Sequence, residues 1–277
     1  MNMNSKAIKI LHRIMILLFL LAALFPIYWM LNTAFKTQGE VYSKIPTLIP
    51  KKPTLDNFSY LLFKTKFVNA LKNSLVIAGA VTIFSIGIAY PAAYAIARIK
   101  FKGKEMFSKT ILFCYLLPSS VLYIPLYIFV SLVGLSDSIW GLMLIYPTFT
   151  LPYVSWILIP HIASIPYDIE EAAIMDGCSR FMVMYRIIFP LALPGIVSTA
   201  IFAFAMCWGE YLYALVNVTQ ESMKTFPLIM AGLIFGDLYP WGQIMAGAII
   251  GCLPILVIYT LSSGFLSGDQ AAGGVKG

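Results

Sequence analysis

Six long stretches of the chain carry no charged residue, and the charges are confined to the segments between them. The stretches run from Arg13 to Lys36, Lys72 to Arg98, Lys109 to Asp137, Asp137 to Asp168, Arg186 to Glu210 and Asp237 to Asp269, and hold 22, 25, 27, 30, 23 and 31 residues. Each is longer than the roughly 20 residues an α-helix needs to cross about 30 Å of hydrocarbon. The pattern predicts an all-α integral membrane protein with six transmembrane helices. It excludes a β-barrel, whose strands would read as short segments of alternating polarity. Between Lys36 and Lys72 the chain is polar and carries Pro46, Pro50 and Pro53, so an extracytoplasmic connection separates the first helix from a block of five. Asp137 alone divides the third run from the fourth, inside Gly134-Leu-Ser-Asp-Ser138, which predicts a tight hairpin. Pro91, Pro118, Pro125, Pro147, Pro152, Pro160 and Pro254 fall at membrane depth. Each removes a backbone hydrogen bond and predicts a kink. Gly247-Ala-Ile-Ile-Gly251 is expected to allow close packing within the chain.

Composition agrees. The chain has 277 residues, of which 60% are hydrophobic and only 11% charged, with mean hydropathy +0.85. Soluble domains lie near 45–50% apolar and about 25% charged. The first apolar run follows Lys6, Lys9 and Arg13 and is too long for the core of a signal peptide, so it reads as an uncleaved first helix. With the N-terminus inside, eleven basic residues fall in cytoplasmic segments and eight in outer ones. That bias is weak, and the orientation rests on the basic N-terminus and the cluster from Arg98 to Lys104 in a short loop. The net charge of +7 is spread over several loops, as expected for a membrane surface and not for a nucleic-acid partner. Two histidines and four cysteines without C-x-x-C spacing give no metal site, and no catalytic set stands at membrane depth.

One cytoplasmic segment departs from the pattern. Asp168, Glu170, Glu171 and Asp176 crowd into nine positions after Ser164-Ile-Pro166, and a mostly apolar stretch follows from Cys178 to Pro190. This predicts a helix, a turn and a second helix. Pro166 suits a first turn, Asp168 and Glu171 have the spacing of a capping box, and Gly177 suits a left-handed helix end. Ser179 is the expected cap of the second helix and Pro190 its end. Glu171 is open to two readings, a cap on a surface helix or a contact to a partner. Ala172 and Ala173 remove bulk beside it, as entry into a groove requires. Phe181, Met184, Tyr185, Ile188 and Phe189 form one apolar stripe, part of which faces the protein's own core and part of which needs another cover.

The same residues carry a resemblance. Glu171-Ala172-Ala173-x3-Gly177-x9-Ile187-x-Phe189-Pro190 resembles the EAA loop of permease subunits in bacterial ATP-binding-cassette importers, E-A-A-x3-G-x9-I-x-L-P, with Phe189 in place of Leu as the single departure. Ile124-Pro-Leu-Tyr127, Gly134-Leu135, Ile165-Pro166 and Pro194-Gly195 extend it, and the chain end, Ala272-Gly-Gly-Val-Lys-Gly277, is similar to the tail of maltose-transporter-type sugar permeases. The resemblance implies the type I importer permease core. It divides the chain into an N-terminal segment 1–70, a five-helix core 71–266 holding the loop 164–194, and a cytoplasmic tail 267–277. It further implies a bacterial cytoplasmic (inner) membrane protein with both termini cytoplasmic, working with a second permease in a heterodimer, a dimeric ATPase and an extracytoplasmic solute-binding protein to import a sugar, most simply an oligosaccharide. Glu171, Ala172, Ala173, Asp176, Gly177, Ile187 and Pro190 would meet the ATPase, as would Gly273, Gly274, Lys276 and Gly277 of the tail, for which a frayed end is the other reading. ATP and Mg²⁺ would belong to the ATPase partner, since this chain has no G-x-x-x-x-G-K-[ST].

On the outer side, the loop from Asn217 to Trp241 would face the binding protein. Trp208, Glu210, Tyr211 and Tyr213 suit a sugar pathway, where rings stack on sugars and a carboxylate accepts from hydroxyls, but an interfacial aromatic belt with Glu210 reaching the headgroups fits equally. The related branch often has W-N-E/D here, and Gly209 replaces the Asn. The competing class, an ion-coupled secondary transporter, needs titratable groups at the midplane and often inverted repeats. The runs offer only Glu210 and no repeat.

Overall fold

The computed structural model describes residues 5–273, and these are helical throughout apart from connections and one isolated bridge between Phe235 and Leu238. The helices are α1 (Ser5–Ala34), α2 (Asp56–Lys64), α3 (Phe67–Arg98), α4 (Lys104–Leu116), α5 (Tyr123–Leu132), α6 (Ile139–Ile145), α7 (Pro147–Ser164), α8 (Asp168–Met175), α9 (Phe189–Trp208), α10 (Leu212–Asn217), α11 (Phe226–Ala231) and α12 (Trp241–Gly273). Among the described residues five helical stretches are long and apolar enough to cross a membrane, Leu11–Ala34, Phe67–Arg98, Ile139–Ser164, Arg180–Trp208 and Trp241–Phe265, and a bent helix pair brings the number to six if it is counted as one span.

The third apolar run differs from the single kinked helix that its composition suggests. It is broken into Lys104–Leu116 and Ser119–Leu132, bent by 88°. Pro118 is the cause. Its ring keeps Leu117 out of the helical region, at φ −64° and ψ 128°, and it has no N–H to continue the ladder. By contrast Pro91, Pro152, Pro160 and Pro254 lie inside continuous helices, and Pro147 starts one.

The chain divides into two compact units, residues 1–68 with 230–253 and residues 69–229 with 254–277. In the first, Asn57 Nδ2 donates to the carbonyls of Ala34 (2.8 Å) and Lys36 (2.9 Å), satisfying the end of α1. Glu40 accepts from the Thr47 hydroxyl at 2.6 Å and the Lys51 amide at 2.9 Å, which folds the connection onto itself. Gly247 faces Met230 so closely that a Cβ would lie 2.4 Å from its sulfur, so this glycine serves packing within the chain. The apolar stretch of α1 is exposed from Leu11 to Tyr28, and only its end, at Asn32, Thr33 and Ala34, is buried.

The second unit holds two apolar cores. One gathers Ile77, Val130, Leu142, Tyr146, Trp208 and Tyr213, and the other Tyr90, Tyr94, Leu158, Val183, Ile188 and Ala203. A buried hydroxyl pair, Ser85 and Thr150 at 2.7 Å, joins α3 to α7, each satisfying the other in apolar surroundings. The expected hairpin is present between α5 and α6. Gly134 (φ +73°) and Asp137 (φ +57°) make the reversal, Ser138 caps α6, and Gly141 passes so near the Leu135 carbonyl that a Cβ would sit 2.4 Å from its oxygen. The Asp137 carboxylate accepts from the amides of Thr219 and Gln220 and from the Thr219 hydroxyl, all at 2.8 Å, and so ties the hairpin to the segment after α10.

Candidate functional site

The acidic segment forms α8, with Asp168, Glu170 and Glu171 all in its first turn, where carboxylates oppose the positive end of the helix dipole. The capping box expected from Asp168 and Glu171 is not formed. Tyr167 occupies the N-cap and no side chain caps the helix, so both carboxylates stay free to point outward. The other end follows its glycine: Gly177 has φ +86°, and the Cys178 amide donates to Ala173 O and the Gly177 amide to Ile174 O, each at 3.0 Å. These two bonds make a Schellman motif.

The helix has two faces. Glu170 and Ala173 turn inward and are buried, while Glu171, Ala172, Asp176 and Gly177 are exposed beside Met175, which is 87% exposed. The small side chain at 173 thus lets α8 seat on the chain's own core, and the one at 172 lies on the outer face.

After Gly177 the chain turns sharply, and the Ser179 hydroxyl accepts from the Met182 amide at 3.3 Å, the expected cap. The second helix does not end at Pro190. It runs from Arg180 through a π-helical segment, Val183–Ile188, into α9, giving one span of 29 residues. The widened turn precedes the proline, and within it the Phe189 amide reaches back five residues to the Met184 carbonyl. This is how a residue without N–H is carried inside the span. The apolar stripe is divided: Met184 and Ile188 are buried, Ile187 and Phe189 half-buried, and Phe181 and Tyr185 exposed with their rings 4.7 Å apart. Pro190 is exposed.

Inside, Glu170 meets Tyr94, which the sequence pattern did not single out, and Arg98, which it marked only as the start of a basic cluster. Its Oε1 lies 2.8 Å from Arg98 Nε, and its Oε2 accepts from the Tyr94 hydroxyl at 3.1 Å. The side chains of Arg98 and Glu170 are 6% and 2% exposed. Arg98 Nη2 also donates to the carbonyl of Ile162 at 2.6 Å and to that of Ile165, both at the end of α7. Among four neighbouring carboxylates, Glu170 is marked by Ala173 three residues on, which fixes the inward face. Arg98 is marked by Tyr94 and Tyr90, one and two turns before it.

At the far end of the α9 span, Trp208, Glu210, Tyr211 and Tyr213 come together around the start of α10. Trp208 stacks with Phe204 and Phe226 at centroid distances of 5.8 and 5.4 Å. The Glu210 carboxylate is turned onto its own chain. It accepts from the Tyr146 hydroxyl (2.9 Å) and from the amides of Tyr213 (2.8 Å) and Ala214 (3.1 Å), capping α10. Tyr211 is half-buried beside it. Tyr213 is packed edge-on against Tyr123 at 4.4 Å and donates to the Ser119 carbonyl at 2.9 Å, supplying a donor to the backbone that the Pro118 break leaves open. A cavity of about 130 Å³ lies here, lined by Ser119, Leu122, Thr148, Phe149, Met206 and Tyr213 among others. Of the tail, Gly273 ends the helical backbone of α12, while Gly274, Lys276 and Gly277 lie outside the described residues. No group of three His, Cys, Asp or Glu side chains is arranged to hold a metal among the described residues.

A helical membrane domain that carries a short two-faced helix between its spans suits a transport subunit, and the relatives of the chain are of that class. The chain belongs to the family described as binding-protein-dependent transport system inner membrane component, whose model matches residues 85–267. It is thus an ABC importer permease and a multi-pass protein of the inner membrane, in a family that works with a solute-binding protein. Membership of this family, and not of the ion-coupled transporters, accounts for the loop at 164–194. Among its relatives is the inner membrane ABC transporter permease protein YcjP of Escherichia coli (strain K12), 34% identical over 264 residues, which are 94% of each chain. The diacetylchitobiose uptake system permease protein DasC of Streptomyces coelicolor is 32% identical, covering 91% of this chain and 92% of its own. The trehalose/maltose transport system permease protein MalG of Thermococcus litoralis is 32% identical, covering 97% and 99%. Among solved structures, a bacterial ABC transporter involved in import of the acidic polysaccharide alginate matches the fold with a TM-score of 0.77 at 20% identity, covering 95% of this chain and 99% of that one.

Proposed function

We propose that the chain is one of two different permeases that together line the pathway of an ATP-driven sugar importer, and that its cargo is an oligosaccharide. The observation that carries this reading is the pair of relatives named for diacetylchitobiose and trehalose/maltose, aligned over at least nine-tenths of both chains. In this reading α8 is the coupling helix. Glu171, near its N-terminus and exposed, makes a charge-assisted contact with a basic cleft of the ATPase, worth about 1.5–3 kcal/mol. Ala172, Asp176 and Gly177 shape the inserted face, Ala173 seats the helix, and Ile187 and Pro190 hold the segment that follows. The ATPase dimer binds ATP and Mg²⁺, and this chain performs no chemistry. The tail residues Gly273, Gly274, Lys276 and Gly277 reach that dimer, so both termini are cytoplasmic. The pairing of Arg98 with Glu170 supports this orientation, because it brings the basic cluster after α3 to the side of α8. Trp208, Glu210, Tyr211 and Tyr213 form part of the pathway wall at its outer end.

The test is uptake into proteoliposomes holding this chain, its partner permease and the ATPase, with the binding protein and labelled disaccharides or trisaccharides outside. ATP-dependent accumulation of an oligosaccharide is expected. Accumulation driven by a proton gradient without the ATPase, or of a non-carbohydrate solute alone, would overturn the proposal.

A further inference from the structure

Three residues on one face of α3, spaced four apart, reach the cytoplasmic loop at three places. The Tyr90 hydroxyl donates to the Met184 carbonyl at 2.6 Å, in the π-helical segment. The Tyr94 hydroxyl donates to Glu170 Oε2, and Arg98, the last residue of α3, pairs with Glu170 Oε1. Because Arg98 also donates to two carbonyls at the end of α7, one guanidinium joins α3, α7 and α8. The Tyr167 ring lies 5.8 Å from it and closes the remaining side.

A buried ion pair of this kind is weak evidence for stability, since its desolvation offsets much of its attraction. What distinguishes it is connectivity and stiffness. α8 is only eight residues long, and its Glu171 face is exposed. A push on a helix so short reaches the membrane only through whatever holds its other face, and Glu170 is the one buried charged residue on that face. Arg98 suits the task better than lysine would. Its guanidinium keeps Nε 2.8 Å from the carboxylate while Nη2 donates to two carbonyls, whereas an ammonium is a compact point charge on a flexible stem.

We propose that the Arg98–Glu170 pair, braced by Tyr94, is the rigid link that carries movement of the coupling helix into α3 and α7. Arg98 and Glu170 are thus positioning residues for transport, distinct from the exposed face that meets the ATPase. The inference rests on α8 being the coupling helix.

The experiment uses the whole complex in proteoliposomes and measures sugar uptake and ATP hydrolysis together. Arg98→Lys keeps the positive charge and Glu170→Gln keeps the shape and an acceptor for Tyr94, and co-purification of the ATPase reports how much folded complex each variant retains. Uptake per ATP is expected to fall at least ~10-fold in both, while hydrolysis stimulated by the binding protein persists. Tyr94→Phe, which removes one hydrogen bond, is expected to fall ~2-fold to ~3-fold. An unchanged ratio, with uptake and hydrolysis reduced only in proportion to the amount of complex, would mean that the pair merely supports folding and would overturn the inference. Glu171→Lys separates the two ideas. If that variant still couples normally, the coupling-helix reading itself fails, and if it loses ATPase assembly while Arg98→Lys keeps the parental ratio, only the link fails.

Discussion

Replacing Glu210 by alanine removes one carboxylate and three hydrogen bonds at once. Tyr146, Tyr213 and Ala214, the three donors, are each at most 1% exposed, so water does not readily replace the acceptor. A buried donor left unsatisfied costs about 1–3 kcal/mol, and loss of an N-cap acceptor about 0.5–2 kcal/mol. Glu210 itself is half-exposed, and some water will enter the space its side chain leaves. The net expectation is a loss of about 3 kcal/mol. At ~2–4 °C per kcal/mol for a chain of this size, that is a fall of roughly 6–12 °C in the midpoint of thermal unfolding. Tyr146→Phe removes one bond and leaves Glu210 its two amides, so about 1 kcal/mol is expected, and Glu210→Gln should fall between the two. The assay is the fraction of detergent-purified protein that remains monodisperse after stepwise heating. A Glu210→Ala protein that melts within ~2 °C of the parent, a difference of under ~1 kcal/mol, would refute the claim that this carboxylate organises the outer cluster.

Further outcomes follow from single contacts. Gly141→Ala places a methyl 2.4 Å from a backbone oxygen that cannot move without breaking the hairpin, and should cost at least ~3 kcal/mol, read as loss of monodisperse protein after expression. The Asp137 carboxyl is held below the ordinary carboxylate range, first by the Gln220 amide and then by the Thr219 hydroxyl and amide. A carboxylate with a depressed folded value adds stability that is present above its unfolded value of about 3.9 and disappears as pH falls through the lower folded one. Asp137→Asn should therefore unfold more readily than the parent at pH 6, by a margin that narrows steadily as the pH is taken below about 3.9, as followed by heating at each pH.

Much of this architecture was legible because the bilayer constrains where charge can sit. Charge-free runs between Arg13 and Asp269 marked the spans, and Asp137, alone between two runs, marked the hairpin whose network it supplies. The break at Pro118 was less legible. Pro91 and Pro152 leave their helices continuous, and what makes Pro118 different is a tertiary partner, the Tyr213 hydroxyl, that serves the opened backbone from almost a hundred residues away. The same holds for Pro190, whose helix continues because a π-helical turn precedes it. In the acidic cluster, Glu170 and Glu171 are adjacent and chemically identical in sequence, yet a rotation of about 100° between successive helical residues buries one against Arg98 and exposes the other. Pair spacing within a helix reveals faces, but it does not reveal which distant residue waits on the inner one. Glu210 was read either as a pathway ligand or as a headgroup anchor. Its role as the cap of α10 depends on a short helix that the apolar pattern after Trp208 did not announce.

The central claim is that α8 couples this permease to an ATPase through Glu171. Its most direct test is ATP-driven uptake by the reconstituted complex carrying Glu171→Lys, with insertion of the permease checked in the same membranes. The account predicts that the variant inserts at the parental level while uptake falls at least ~100-fold, because reversing one charge against a basic cleft both removes the contact and adds repulsion. Uptake at the parental rate by the Glu171→Lys complex would contradict it.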